Sequence, residues 1–279
     1  MRKYELLPQQ LLYEGSCDPS NFFAPELPAD PYITATHDPD YYHALCHLEI
    51  PAREARKIGF PLSEGLVERE RIIAGGTITA CEYALKYGIA MNIAGGTHHA
   101  YSNRGEAFCM LNDQAIAARY LLQKGLASQV LIVDLDVHQG NGTAQIFRDD
   151  PSVFTFSMHG AGNYPFKKER SDLDIPLEKG TGDKAYLSLL RETLPRLLDE
   201  VAPDFICYLC GVDVLESDAL GTLSLSLEGC AERDRIVLES CHKNKVPVQC
   251  SMGGGYSPDL RTIVEAHANT FRCAQNVYF

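Results

Sequence analysis

The chain has no apolar run long enough to cross a bilayer, and it does not open on a charged-then-apolar leader. Both absences point to a soluble, non-secreted protein of the cytoplasm, with no membrane insertion. Internal repeats and low-complexity segments are missing, and no stretch has the composition of a linker. With 279 residues and 45% apolar content, the expectation is one domain over 1–279 with a full core. Basic residues are scarce, 25 Lys and Arg against 37 Asp and Glu, which gives a net charge of -12. A sequence-independent grip on nucleic acid needs cations that displace counterions, so direct nucleic-acid binding is not expected. Ten cysteines are present, and in a chain this long without a leader they read as small core hydrophobes rather than a disulfide framework. Cys207 and Cys210 form a C-x-x-C, but they lie inside the apolar run 205–210 and no second pair stands at zinc-finger spacing.

The organising stretch is Val130-Leu131-Ile132-Val133-Asp134-Leu135-Asp136-Val137-His138-Gln139-Gly140-Asn141-Gly142. Its four leading apolar residues read as a strand buried on both faces, as in a parallel sheet. Side chains of an extended backbone alternate, so Asp134, Asp136 and His138 project together to one side at the strand's end. Three ionisable groups there need charge compensation, and a bound cation is the simplest source. The plainer reading is a turn or a helix N-cap, since Asp, Asn and Gly all favour turns.

From Tyr87 onward, strand-like runs at 89–93, 130–135, 153–158, 205–210 and 246–251 alternate with helical patterns at 112–124, 142–148, 183–201, 229–243 and 259–270. This β-α-β wiring predicts an α/β fold with a central parallel sheet covered by helices on both faces. Ahead of it, 6–13 reads as helix and 19–31 as an irregular proline-rich passage. Asp38 caps a helix that begins at Pro39, and 63–86 reads as a long helix interrupted at Gly75-Gly76.

Each predicted strand is followed by residues with chemical potential: His98 and His99; Asp136 and His138; His159; Asp213 and Asp218; and Tyr256 after three glycines. Ligand sites of α/β sheets lie outside the carboxyl ends of the strands, so these segments are expected to converge. Innocent readings stand beside them. His37, His43, His47, His242 and His267 read as ordinary core or surface histidines. Asp213 and Asp218 can be helix caps, and for Asp213 the cap is the favoured view. The tandem His98-His99 after a Gly-Gly hinge can press against a common cavity floor, and Tyr256, ordinarily a turn aromatic after three glycines, stands where the backbone can approach a ligand and a phenol can reach an oxyanion.

With these residues collected, the chain resembles the zinc-dependent histone deacetylase family, with its arginase/deacetylase-like fold, and most of all class IV and its bacterial relatives. The similarity is carried by Gly95-Gly96-Thr97-His98-His99-Ala100, by Arg104-Gly105-Glu106-Ala107-Phe108-Cys109 with Leu111-Asn112-Asp113, by 134–142, by Ser217-Asp218-Ala219-Leu220-Gly221, and by Gly253-Gly254-Gly255-Tyr256. The resemblance implies one Zn2+ per chain on Asp136, His138 and Asp218, His98 and His99 as an acid/base pair, and Tyr256 as oxyanion donor. It further implies that Asp134 sits behind His98 and, with Ser157, holds a monovalent cation such as K+. It places Asn141 behind His99, and Phe108 and Gly254 against the substrate. The implied substrate is an Nε-acyl-lysine in a protein or peptide, with long acyl chains favoured by the class IV likeness. Hydrolysis of small acylated amines such as acetylpolyamines, and a silent binding protein of the same fold, are the alternatives.

Two departures from the family pattern bear on these expectations. Asn141 stands where many relatives place Asp, and an amide supports an imidazole less than a carboxylate does, so His99 is expected to be the less basic of the pair. Relatives also carry a short strand and a His/Arg-containing segment ahead of the part resembling 1–13. The expectation is a sheet without its first strand and a pocket floor without an arginine.

Overall fold

Every residue from Val130 to Asp134 is buried, as a strand covered on both faces requires, and alternate residues feed two separate cores. In the computed structural model, which describes residues 2–279, Leu131 and Val133 point into one core, and Val130 and Ile132 into the other. Neighbouring strands repeat this division, with Ile206 and Tyr208 on the first side and Phe205 and Cys207 on the second. The strands are β1 (Ile89–Asn92), β2 (Val130–Asp134), β3 (Val153–Gly160), β4 (Leu173–Leu177), β5 (Phe205–Leu209) and β6 (Val248–Ser251). They form one parallel sheet in the order β1-β6-β5-β2-β3-β4.

The helices are α1 (Lys3–Glu14), α2 (Asp30–Thr34), α3 (Pro39–Cys46), α4 (Ala52–Ile58), α5 (Glu64–Tyr87), α6 (Asp113–Gln123), α7 (Asn141–Phe147), α8 (Asp183–Val201), α9 (Leu227–Asn244) and α10 (Leu260–Tyr278). Helices α1, α8, α9 and α10 cover the face of Leu131, whereas α2, α3, α5 and α6 cover that of Ile132. Among the described residues no helix is long and apolar enough to cross a membrane.

Two differences from the sequence reading have physical causes. Helix α5 runs unbroken through Gly75-Gly76. A Cβ on Gly75 would meet the Glu26 carbonyl oxygen at 2.0 Å, so the glycine admits the proline-rich passage against the helix instead of ending it. Strand β4 was not anticipated, because Asp174 and Pro176 break its apolar pattern. It is one of the sheet's two edge strands, where proline is tolerated. Asp38 does cap α3, accepting from the amides of Asp40 at 2.8 Å and Tyr41 at 3.3 Å.

The chain leaves β2 toward β3 on one side and β5 toward β6 on the other, so the strand order reverses between β2 and β5 and opens a crevice at their carboxyl ends. A buried ion pair braces this place from below. Arg233 is 0% exposed and donates to the carbonyls of Leu135 at 3.2 Å and Gly211 at 2.5 Å, the residues that lead into Asp136 and Asp213. Its Nε donates to Asp234 at 2.9 Å, and Asp234 also accepts from the hydroxyls of Tyr208 and Thr270.

Arg233→Met would strand the Asp234 carboxylate in the core, and loss of one partner of a buried pair costs about 3–5 kcal/mol. Urea unfolding is expected to show a loss of that size, part of it regained in Arg233→Met/Asp234→Asn. A loss below about 1 kcal/mol, the range of exposed ion pairs, would contradict a bracing role.

Candidate functional site

The loop after β2 folds back on its own carboxylates. The amide of Asp136 donates to Asp134 Oδ1 at 3.1 Å, and the amide of His138 donates to Asp136 Oδ1 at 2.9 Å. From β5 comes Asp213, whose Oδ1 accepts from the amide of Val137 at 3.0 Å. Asp136, His138 and Asp213 thereby offer ligand atoms that all lie within 4.8 Å of one another. His138 Nδ1 stands 3.0 Å from Asp136 and 3.4 Å from Asp213. Two carboxylates and one imidazole match a three-ligand metal site that keeps a position open. The buried Oδ2 of Asp213 has no hydrogen-bond partner among the described residues, as a group reserved for a cation would. Burial and the neighbouring Asp213 charge push Asp136 up to about 6.

The expectation that Asp218 completes this set is corrected by the geometry. Its Oδ1 accepts from the amides of Leu220 at 2.8 Å and Gly221 at 2.9 Å, and its Oδ2 from the amide of Tyr256 at 2.6 Å. Asp218 therefore ties the 217–221 loop to the turn bearing Tyr256. The cap reading of Asp213 fails because no helix starts there, the next being α9. A lone carboxylate between Val212 and Val214-Leu215, in a run too apolar for a surface cap, was the available signal. Gly254 lies at φ +61°, and a Cβ on it would sit 2.4 Å from Asp213 Oδ2, so only glycine lets this turn close over the cluster.

The tandem histidines are buried beside the cluster with ring centroids 4.1 Å apart. His98 Nδ1 meets Asp134 Oδ2 at 2.7 Å, and His99 Nδ1 meets Asn141 Oδ1 at 2.6 Å. Burial opposes the charge on His98, but Asp134 and Asp136 outweigh it and hold the imidazole up at about 9. Burial and then the positive charges of His98 and His138 drive His99 well below the usual range. Ser157 faces Asp134 across β2 and β3, but its hydroxyl pairs with His159 Nδ1 at 2.9 Å, and both Asp134 oxygens are already engaged. His37 is a core residue that accepts from the amide of Asn112 at 2.9 Å.

His98, His99, Asp136, His138 and Asp213 line a cavity of about 500 Å³. At its mouth stand Phe60, Phe108, Phe166, Leu220 and Lys57. Phe108 is held there by a backbone in the left-handed region, φ +69° after Ala107 at +44°, with its amide donating to Ile58 at 2.7 Å. Tyr256 lines the cavity, and burial followed by the charges of Asp213 and Asp136 raises its pKa, so it keeps its phenolic proton. Against the expectation of a pocket without an arginine, Arg69 lines the cavity, paired with Glu70 at 2.9 Å, and a second cation joins it. Lys3 is 5% exposed, lines the cavity and donates to the Gly254 carbonyl. Burial lowers its pKa to about 8 against the opposing pull of Asp213 and Asp136. Nothing in the sequence signalled this lysine.

In metal-free protein, NMR titration is expected to find His98 charged up to pH about 9. Asp134→Asn leaves burial in place but removes the strongest opposing charge, so the titration should move to lower pH. An unchanged midpoint in the variant would contradict the pairing.

Residues 2–271 match the family described as the histone deacetylase domain. An uncharacterised protein of Picosynechococcus is 46% identical over 278 residues, covering 100% of this chain and 93% of that protein. Histone deacetylase 2 of Arabidopsis thaliana is 34% identical over 71% of this chain and 52% of its own length. A solved HDAC homologue in complex with SAHA superposes with a TM-score of 0.85 at 25% identity, covering 97% of this chain and 77% of that one. The chain belongs to the histone deacetylase family.

Proposed function

We propose that the protein is a zinc-dependent hydrolase that cleaves the amide bond of Nε-acyl-lysine in peptides or proteins. The observation that carries this reading is the convergence of Asp136, His138 and Asp213 beside two buried histidines and a protonated phenol in one cavity. The family match supports the general chemistry. SAHA is a ligand of the solved homologue, and that protein's likeness to this chain supports an acylated substrate here.

Amide hydrolysis needs an activated water, a polarised carbonyl and a proton for the leaving amine. A zinc ion held by Asp136, His138 and Asp213 would supply Lewis acidity and a more acidic water. His99, kept neutral, leaves its Nε2 able to take a proton from an attacking water and later return it to the leaving amine. His98 is set up differently, since Asp134 holds it charged, and it acts as an electrostatic partner. Tyr256 donates to the oxygen on which charge develops, a contact worth roughly 3–4 kcal/mol. Its place is fixed through the Asp218 carboxylate that grips its amide.

The cavity mouth favours acyl-lysine over acetylpolyamine. The acidic residues lining the cavity, Glu70, Asp136 and Asp213, are all buried, whereas Lys57 is exposed at the rim. The carboxylate nearest Lys57 at the rim, Glu54, is already paired with it at 2.9 Å, which leaves little there to attract a polycation. The floor also bears on acyl length. Lys3, Tyr4 and Glu70 make it polar, so added methylenes gain less than the about 0.8 kcal/mol each that apolar burial provides. The polar floor supports short acyl groups over the long ones suggested by the class IV likeness.

Metal analysis of purified protein is expected to find one zinc per chain, lost in Asp213→Ala and kept in Asp218→Ala. Equal retention in both variants would overturn the ligand assignment.

Tyr256→Phe should preserve the melting temperature and metal content while kcat falls about 100- to 1000-fold. An unchanged kcat would remove the oxyanion role.

With acetyl-, octanoyl- and myristoyl-lysine in one peptide, kcat/KM should decline with chain length. A rise toward myristoyl would show an apolar acyl site that the polar floor does not provide, and turnover of acetylpolyamines alone would replace the acyl-lysine reading.

A further inference from the structure

Asn141 is 0% exposed, and its two amide ends have different partners. Oδ1 faces His99 Nδ1 at 2.6 Å, while Nδ2 lies 3.0 Å from the Tyr101 hydroxyl and 3.2 Å from Glu106 Oε2. A carboxamide is nearly symmetric in shape, so only its partners decide which end meets the imidazole. Tyr101 does not decide it, because a hydroxyl can donate or accept, and its proton is directed to Glu169 Oε1 at 3.3 Å. Glu106 does decide it. A carboxylate only accepts, so the Asn141 nitrogen must face Glu106 and the oxygen is left for His99.

The consequence reaches the imidazole. An oxygen acceptor at Nδ1 requires the Nδ1–H tautomer and leaves the lone pair on Nε2, the nitrogen free to handle a proton in the cavity. With the amide reversed, Nδ2 would point its hydrogens at Nδ1, the proton would move to Nε2, and the base would be lost. We propose that Glu106 is a positioning residue which, acting through Asn141, locks His99 in the tautomer able to accept a proton at Nε2. Its catalytic consequence rests on the hydrolase reading above, whereas the tautomer itself does not.

The surroundings hold Glu106 to this task. Its amide donates to the Cys109 carbonyl at 2.8 Å and its carbonyl accepts from the Cys109 amide at 2.9 Å, closing the tight turn that presents Phe108 at the cavity mouth. One turn thus sets both a wall of the channel and the far end of the His99 chain. Tyr164, edge-on to His99 at 5.0 Å, has its phenol pKa raised by burial and then by Glu106, so it stays neutral beside that carboxylate. Asn141 and Glu106 also form a matched pair. Aspartate at 141 could accept from His99 unaided, but it would then place a second carboxylate oxygen about 3 Å from Glu106, a like-charge contact that forces one of them to take up a proton.

The test is a cycle over the two positions, read in two ways. Nitrogen-15 NMR of histidine-labelled protein at neutral pH, with His99 identified by its loss in His99→Gln, should show the Nδ1–H form in the wild type and in Glu106→Gln, which keeps an acceptor. Glu106→Ala should shift the signal toward Nε2–H. In steady-state hydrolysis of acetyl-lysine peptide, Glu106→Ala should lower kcat about 10- to 100-fold with little change in KM, the usual scale for loss of an orienting partner. Asn141→Asp should be deleterious in the wild type and regain most of its loss in Asn141→Asp/Glu106→Gln. An unchanged His99 tautomer in Glu106→Ala, or an Asn141→Asp effect of the same size in both backgrounds, would overturn the proposal. If Glu106→Ala does not fold, the Asn141→Asp pair of measurements decides alone. Absence of turnover in the wild type would refute the hydrolase reading and leave the NMR result to judge the tautomer lock.

Discussion

Two carboxylates buried a few ångströms apart at the mouth of the sheet, Asp136 and Asp213, are the constraint on which the rest of the structure depends. Like charges in a low-dielectric site repel, and neither can stay ionised without a cation or a proton between them. His138 stands in that position, within 3.4 Å of both, and Asp213 Oδ2, which makes no hydrogen bond among the described residues, marks the remaining demand for positive charge. Around this centre the fold supplies what the pair lacks. Arg233 braces the backbones leading into both carboxylates from within the core, and the glycine turn at 253–255 closes over Asp213 where any side chain would collide with it.

The histidines inherit their difference from the same electrostatics. His98 sits against two carboxylates and is charged, whereas His99 faces an amide and two positively charged neighbours and is neutral. A pair of titratable groups pushed apart in this way separates the roles of base and electrostatic partner between adjacent residues. Asn141 belongs to that separation, since its amide lends orientation without adding charge, and the charge is kept one residue further away at Glu106.

Much of this was legible in the sequence because it depends on local period and strand ends. The buried run at 130–134, its alternate Asp136 and His138, the parallel wiring and the tandem histidines all follow from the two-residue repeat of a strand and the rule that sites form at carboxyl ends. Asp213 and Asp218 were not separable in that way. Both follow β5, and only the tertiary path of the loop decides that one enters the cluster while the other collects three amides. Lys3 was out of reach because it meets the site across 251 residues, and Glu106, though inside a quoted motif, was given no role because nothing local tells that its side chain turns toward Asn141. Gly75-Gly76 misled for the opposite reason, since a glycine that breaks a helix and one that admits a neighbour look alike until the neighbour is in place.

The central claim is that Asp136, His138 and Asp213 together hold the metal. X-ray absorption at the zinc edge of the purified protein addresses it without relying on turnover. Asp136, His138 and Asp213 as ligands would give a first shell of oxygen and nitrogen donors at about 2.0–2.2 Å with the outer scattering of a single imidazole. A shell containing two or more imidazoles, or sulfur at about 2.3 Å, would contradict that ligand set.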